Sequence, residues 1–422
     1  MKVSLAYGRG HLEVEIPDDA TIIEPAPQSG LADERAAFLA ALDHPMAASP
    51  LARSISPTAR ICIVHTDITR ATPNDRFIPW LLAYLENAGA VRENITLLNG
   101  TGTHRPNTRA ELETMLTPEV VANYRCINHL CEDHASHVQF GVTASGAPAL
   151  IDRTLVEADV RIITGFIEPH FFAGFSGGPK GIMPGVAALE TVMSNHGARH
   201  IGDPRATFGI TEGNPLWEEM RDIALRIGPS FLVNVTLNEQ RDITGIFAGD
   251  LLAAHSAGIE FVRASAMQPV AEPFDIVLTT NSGYPLDMNL YQAVKGVAAA
   301  ARIVKDGGAI LLAAECAEGT PEGSPHDRLL RSVANGEDLL ARLAQPGFVQ
   351  AEQWQSQIQA LIQRRAEIHI HSTLPDETIR AAHLLPCRDI AAFLAEKRAT
   401  NPAIRIAVLP QGPLTIPYLS GR

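Results

Sequence analysis

Short apolar runs of four to six residues alternate along this chain with longer stretches of helical periodicity, and that alternation leaves few folds open. Residues 61–64, 95–98, 161–164, 231–235, 276–279, 309–313 and 404–409 read as strands. Residues 75–87, 186–195, 251–265, 286–301 and 376–384 read as helices. Parallel strands need a crossover, usually a helix, so this order predicts an α/β fold with largely parallel sheets flanked by helices.

At 422 residues the chain exceeds the size at which one hydrophobic core keeps growing, so two domains are expected. A break falls at 267–273, Met-Gln-Pro-Val-Ala-Glu-Pro, where two prolines separate a helix from a fresh strand. The division expected is 1–270 for an N-terminal cofactor-binding and catalytic α/β domain. Residues 271–410 form a C-terminal α/β domain contributing substrate contacts. The turn-rich tail 411–422 is expected to fold back on the N-terminal domain.

Charge and cysteine usage narrow the function. The net charge of −13 disfavours nucleic-acid binding, though a local basic pocket can still take a small anion. Five scattered cysteines suggest neither a disulfide framework nor a thiolate zinc site. The first residues alternate like a strand and lack the layout of a signal peptide, and no apolar run reaches membrane-spanning length. A cytoplasmic protein with no membrane partner is the expectation.

The chemistry concentrates in residues 164–197, TGFIEPHFFAGFSGGPKGIMPGVAALETVMSNHG. Ser176, Gly177 and Gly178 lead into Lys180; such a turn can approach a ligand closely and offer amides to an anion. Lys180 can add charge or react as an amine, and His196 can bind a metal or move a proton. His170 stands beside Phe171, Phe172 and Phe175, whose apolar wall disfavours its charged form and suits a base at neutral pH. A glycine turn and a satisfied core histidine are the bland alternatives.

Two further segments follow strand ends, where open α/β sheets bind ligands. Asp67, Ile68, Thr69 and Arg70 form a turn whose arginine fork matches a carboxylate or phosphate. His104 lies in NGTGTHRP, after the next strand. A fourth segment, LDMNLYQAVKG, puts Tyr291, Gln292 and Lys295 at helical spacings that share a face. Each of these also reads as ordinary polar surface when taken alone. His65, His129, His134, His137 and His200 lack metal-ligand spacing and read as structural or exposed. There is no GxGxxG after a strand and no P-loop.

In their order and separations, DITR, TGTHRP, EPHFFAGFSGGPKGIMPG, NHG and LYQAVKG resemble the nickel-dependent lactate racemase family. The resemblance implies racemisation or epimerisation at C2 of a 2-hydroxy acid, with the site in an interdomain cleft. It implies a nickel-pincer nucleotide, a pyridinium mononucleotide whose two thiocarboxyl sulfurs and one ring carbon hold nickel. Lys180 would tether it and His196 would ligate the metal. His104 and His170 would exchange protons with the substrate during reversible hydride transfer. The 67–70 turn, with Ser176, Gly177 and Gly178, would contact the cofactor. Arg70, Tyr291, Gln292 and Lys295 would contact the substrate, and Trp354 is a further candidate for the pocket wall. Accessory enzymes would build the cofactor. Two rivals stay open: a zinc-dependent hydrolase or lyase, and a non-catalytic hydroxy-acid-binding protein.

Overall fold

The computed structural model describes residues 1–320 and 323–421. It contains two six-stranded sheets. The first runs, edge to edge, Ile243–Asp250, Phe231–Leu237, Val160–Phe166, Ile61–Thr66, Ile95–Gly100 and Arg125–Asn128. All neighbours are parallel except the first pair, which is antiparallel. The second runs Leu385–Pro386, Ala366–His371, Val304–Ala313, Phe274–Thr280, Ile406–Leu409 and Thr21–Ile22, parallel throughout.

Every strand expected from the sequence is present, with ends that differ by a few residues. The central strand Ile61–Thr66 buries five of its six residues, which explains its unbroken apolar run. The helix Asn74–Asn87 turns Phe77, Ile78, Leu81, Leu82 and Leu85 onto the first sheet. Three helices are shorter than expected. The helix after Lys180 begins at Leu189, the substrate-face helix spans Leu290–Ala300, and the helix from Asp376 ends at Ala381. Asn289 caps the second of these by accepting from the Gln292 N–H, so residues 286–289 form the approach and not the first turn.

The domain division needs correction at both ends. Residues 1–23 pack on the second sheet and not the first. Lys2–Tyr7 and Gly10–Glu15 pair as a hairpin whose Val3, Leu5 and Val14 share a core with Ile276, Leu278, Ile406 and Val408. Thr21–Ile22 then extends that sheet beside Ile406–Leu409. The stretch read as a linker is itself a strand, Met267–Val270, paired in parallel with Ile416–Leu419 of the tail. Sequence proximity misled here, because strand pairing is decided by which edge is free and not by position along the chain. Among the described residues no helix is long and apolar enough to cross a membrane, and all five cysteines are free.

A candidate active site between the two domains

Three adjacent parallel strands of the first sheet, ending at Thr66, Gly100 and Phe166, deliver three loops to one place. The strand ending at Thr66 lies between the other two, so the chain reverses its direction of winding there, and a crevice opens outside such strand ends. The second sheet points Thr280, the helix Leu290–Ala300 and the turn after Leu409 at the same crevice. One cavity is lined by Asp67, Arg70, His104, Glu168, His170, Lys180 and His196 from the first domain and by Tyr291, Gln292, Lys295, Trp354 and Leu414 from the second. Ser176, Gly177 and Gly178 also line it. Ile68 and Thr69 do not, and they act from behind the wall. Ile68 N–H donates to Asn107 Oδ1 at 3.2 Å, and the Thr69 hydroxyl donates to Asp67 Oδ1 at 2.7 Å.

The two histidines are fixed in different ways. His104 Nδ1 lies 2.6 Å from Asp67 Oδ2. Burial pushes the Asp67 carboxyl up, but the His104 imidazole, Arg70 and the Thr69 hydroxyl outweigh it and hold it well below the usual carboxylate range. An ionised carboxylate accepts only, so His104 carries its proton on Nδ1 and keeps a lone pair on Nε2. His170 Nδ1 accepts from the Ala173 N–H at 3.2 Å, which places the proton of the neutral ring on Nε2. Its ring stacks edge-on against Phe172 at 4.5 Å. Burial, followed by Lys180 and Lys295, drives its pKa well below that of free imidazole.

Behind these rings lies a polar network that sequence reading missed. Asn99 donates to both Asn107 and Asn128, at 2.9 and 2.8 Å, and so ties the His104 loop to its neighbouring strand. His129 places Nδ1 3.1 Å from Asp152 and Nε2 3.0 Å from the Ala187 carbonyl, and its own carbonyl accepts from Thr101 Oγ1. It therefore joins the His104 loop to the segment leading to His196, in keeping with a structural reading. Three asparagines spaced by eight and twenty-one residues carry no periodic signal, so only the folded chain reveals them.

The glycine turn differs in detail from an open anion cradle. The Gly178 N–H donates to Asn234 Oδ1 at 2.8 Å, the Ser176 N–H to the Glu168 carbonyl, and the Ser176 hydroxyl to the Phe166 carbonyl. Those groups are already occupied. The glycines are needed for shape: Gly177 and Gly178 have φ of 77° and 55°. A Cβ at Gly178 would fall 2.3 Å from the His255 ring, and one at Gly177 2.4 Å from Asn234 Oδ1. The turn thus drives Lys180 into the cavity from a rigid base.

Lys180 and His196 fit a tethered, metal-bearing group. Burial, then Arg70 and Lys295, lower the Lys180 amine to about 7, so a far larger share of it is neutral and nucleophilic near neutral pH than of an ordinary lysine. His196 is buried and lowered to about 3, first by burial and then by Lys180. Its Nδ1 is buried with no hydrogen-bond partner. The ring is clamped edge-on between Phe172 at 5.1 Å and Trp354 at 4.9 Å. A neutral imidazole held rigidly with its lone pair available is what a metal ligand requires. Among the described residues no group of three or more His, Cys, Asp or Glu side chains could hold a metal ion by itself. That argues against the zinc-hydrolase alternative, which needs a clustered ligand set.

From the second domain, Gln292 is buried with Oε1 unpartnered, and Lys295 is lowered to about 7 by burial and then by Arg70. Tyr291 is less free than its spacing suggested, because its hydroxyl accepts from Trp354 Nε1 at 3.0 Å.

These features define a two-domain α/β protein whose parallel sheets converge on a crevice lined by Arg70, Lys180, Lys295 and three histidines. The comparisons agree: the lactate racemase N-terminal domain matches residues 7–209, and the lactate racemase C-terminal domain matches 270–416. A lactate racemase of Thermoanaerobacterium thermosaccharolyticum is 32% identical over 97% of each chain. One of Lactiplantibacillus plantarum is 33% identical over 97% of this chain and 98% of its own. The solved lactate racemase apoprotein of the former organism superposes with a TM-score of 0.92 at 31% identity, covering 99% of this chain and all of the other. A Thermotoga maritima protein shares the fold, with a TM-score of 0.72 at 18% identity over 93% of this chain. The chain belongs to the lactate racemase family, a family of isomerases.

Proposed function

We propose that this chain inverts C2 of a small 2-hydroxy acid, with lactate the first substrate to test. The observation that carries the reading is the pair His104 and His170 on one cavity, each held at Nδ1 but by opposite partners, a carboxylate acceptor and a backbone N–H donor, beside Arg70 and Lys295. A C2–H bond alpha to a carboxylate is too weak an acid for an unaided imidazole. A lysine-tethered nickel-pincer nucleotide, when bound, supplies reversible hydride acceptance at that carbon. Lys180 would hold this group and His196 would ligate its nickel.

The chain supplies the rest. Arg70 grips the substrate carboxylate through its planar fork, and Lys295 adds a point charge. Gln292 offers its amide to the same end of the molecule. Nε2 of His104 takes the hydroxyl proton while Asp67 stabilises the resulting imidazolium, and the Nε2–H of His170 faces the oxygen from its own wall. Two proton carriers let either enantiomer be formed from a flat carbonyl. The apolar wall of Phe172, Trp354, Leu286 and Leu414 excludes water and keeps the 2-keto acid from escaping. Cofactor-synthesis enzymes are the expected partners for loading.

The test is production together with such enzymes, followed by nickel analysis, mass measurement of the Lys180 peptide, and circular dichroism of single-enantiomer hydroxy acids. A mass increase on Lys180, bound nickel and loss of optical rotation with D- or L-lactate support the reading. Binding without change in rotation for any hydroxy acid would overturn it in favour of a non-catalytic binding protein.

A further inference from the structure

The turn Gly412–Leu414, in the tail after the strand Ile406–Leu409, walls the cavity through Pro413 and Leu414. It packs against the helix Leu290–Ala300, which carries Gln292 and Lys295, and against the short strand Pro169–His170. The turn is tied down on all sides. The Thr280 hydroxyl donates to the Pro410 carbonyl at 2.7 Å, and the Ser282 hydroxyl donates to the Gln411 carbonyl at 2.5 Å. The Gln411 amide donates to Glu239 Oε2 of the first domain at 3.1 Å. Gly412 has a φ of 43°, and a Cβ there would fall 1.9 Å from the Thr280 carbonyl oxygen.

Among the described residues, the valine, isoleucine, leucine, phenylalanine and tryptophan side chains on this cavity are packed into a hydrophobic core, with two exceptions. Leu286 and Leu414 belong to none of the cores. Leu286 is nearly covered by its surroundings, whereas Leu414 is half-buried between the buried Pro413 and Thr415. Apolar surface left unpacked on a cavity wall is surface that the apolar part of a ligand can cover. In the proposed function Arg70, Gln292 and Lys295 take the carboxylate, His104 and His170 take the hydroxyl, and Lys180 and His196 serve the cofactor. The substituent on C2 is the one part of the substrate left, and the two unpacked leucines are the apolar surface left for it.

We propose that Leu414 is a specificity-determining residue, which with Leu286 receives the C2 substituent and limits it to a methyl or ethyl group. The inference rests on the proposed function. A second carboxylate or a polyhydroxy chain would lose hydration against two leucines and gain no hydrogen bond from them. A longer aliphatic chain would press on a turn that cannot withdraw, because both of its ends are tied.

The test uses cofactor-loaded wild type, Leu414→Ala and Leu414→Phe. Circular dichroism follows single enantiomers of lactate, 2-hydroxybutyrate and 2-hydroxyvalerate. The quantity read is the ratio of kcat/KM between acids, because damage to folding or loading lowers all of them alike. Leu414→Ala is expected to raise 2-hydroxyvalerate relative to lactate by about tenfold, and Leu414→Phe to lower 2-hydroxybutyrate relative to lactate by about tenfold. A ratio that stays at the wild-type value, or moves the other way, in either variant would overturn the proposal.

A second arm reads binding without turnover. Calorimetric titration of the same loaded proteins with racemic acids, which undergo no net reaction, orders the three by affinity. Leu414→Ala should shift that order toward the longer acids, and an unchanged order would overturn the wall assignment. Acids that bind with a shifted order yet are not converted by wild type would strike the functional reading and leave the wall standing. Acids that neither bind nor react would overturn both.

Discussion

The loops carrying His104 and His170 leave neighbouring regions of one sheet and reach the same cavity, yet they hold their rings by opposite means. His104 is oriented by a side chain, the Asp67 carboxylate, which accepts its Nδ1–H. His170 is oriented by a backbone N–H, which favours the neutral ring and opposes protonation at Nδ1. The first arrangement makes a base with Nε2 ready to accept. The second makes a donor, which must break its bond to the Ala173 N–H before it can accept a proton. Two histidines to which the proposed mechanism gives equivalent roles are therefore not equivalent in structure. Enantiomers are equally stable, so kcat/KM is the same in both directions. The difference between the loops must show in kcat and KM separately.

The comparison is broken most severely by removing the rings. His104→Ala and His170→Ala should each lower kcat by about 10²–10⁴ while leaving bound nickel unchanged, measured by circular dichroism and metal analysis. Full activity in either variant would end its assignment.

Next in size is Asp67→Asn. It should lower kcat by roughly 10² by freeing the His104 tautomer, with a larger change in the direction that uses His104 as base. An equal loss in both directions would show that the loops are more alike than their contacts suggest.

Lys180 tests the cavity that both loops share. In cofactor-free protein at pH 8 its pKa of about 7 leaves the amine mostly deprotonated. A surface lysine near ~10.4 is under about one per cent deprotonated at that pH. Lys180 should therefore be methylated far faster than surface lysines at pH 8; its absolute rate should fall as pH drops below 7, and its advantage should disappear as pH rises towards the surface-lysine pKa. The smallest effect concerns the base of the second loop. Gly178→Ala should lower the thermal midpoint by a few degrees, because its Cβ meets His255 in a left-handed backbone.

The sequence carried much of this. Strand positions were legible because strands covered on both faces carry short, mainly apolar runs. The candidate site was partly legible because the Asp67, His104 and His170 segments each follow a strand end, and parallel topology brings those ends together. What stayed hidden was pairing across distance. Asp67 read as a ligand contact and proves to be the partner of His104, thirty-seven residues on. The glycine turn read as an anion cradle, but its Gly178 amide is spent on Asn234, fifty-six residues away. Leu414 was unread because an isolated leucine has no signature until its surroundings are known.

The hairpin and edge strand formed by residues 1–23 complete the second sheet before the chain enters the first domain. Topologically, then, the first domain is a guest spliced into the second, whose sheet takes strands from both sides of the insertion. A cut at residue 270 would free no intact second domain, because the sheet would lose its outer strand and the hairpin that closes its core. The two fragments should reassociate when made together, and permuted genes that rejoin residues 1–23 to the C-terminal half should outlive simple truncations.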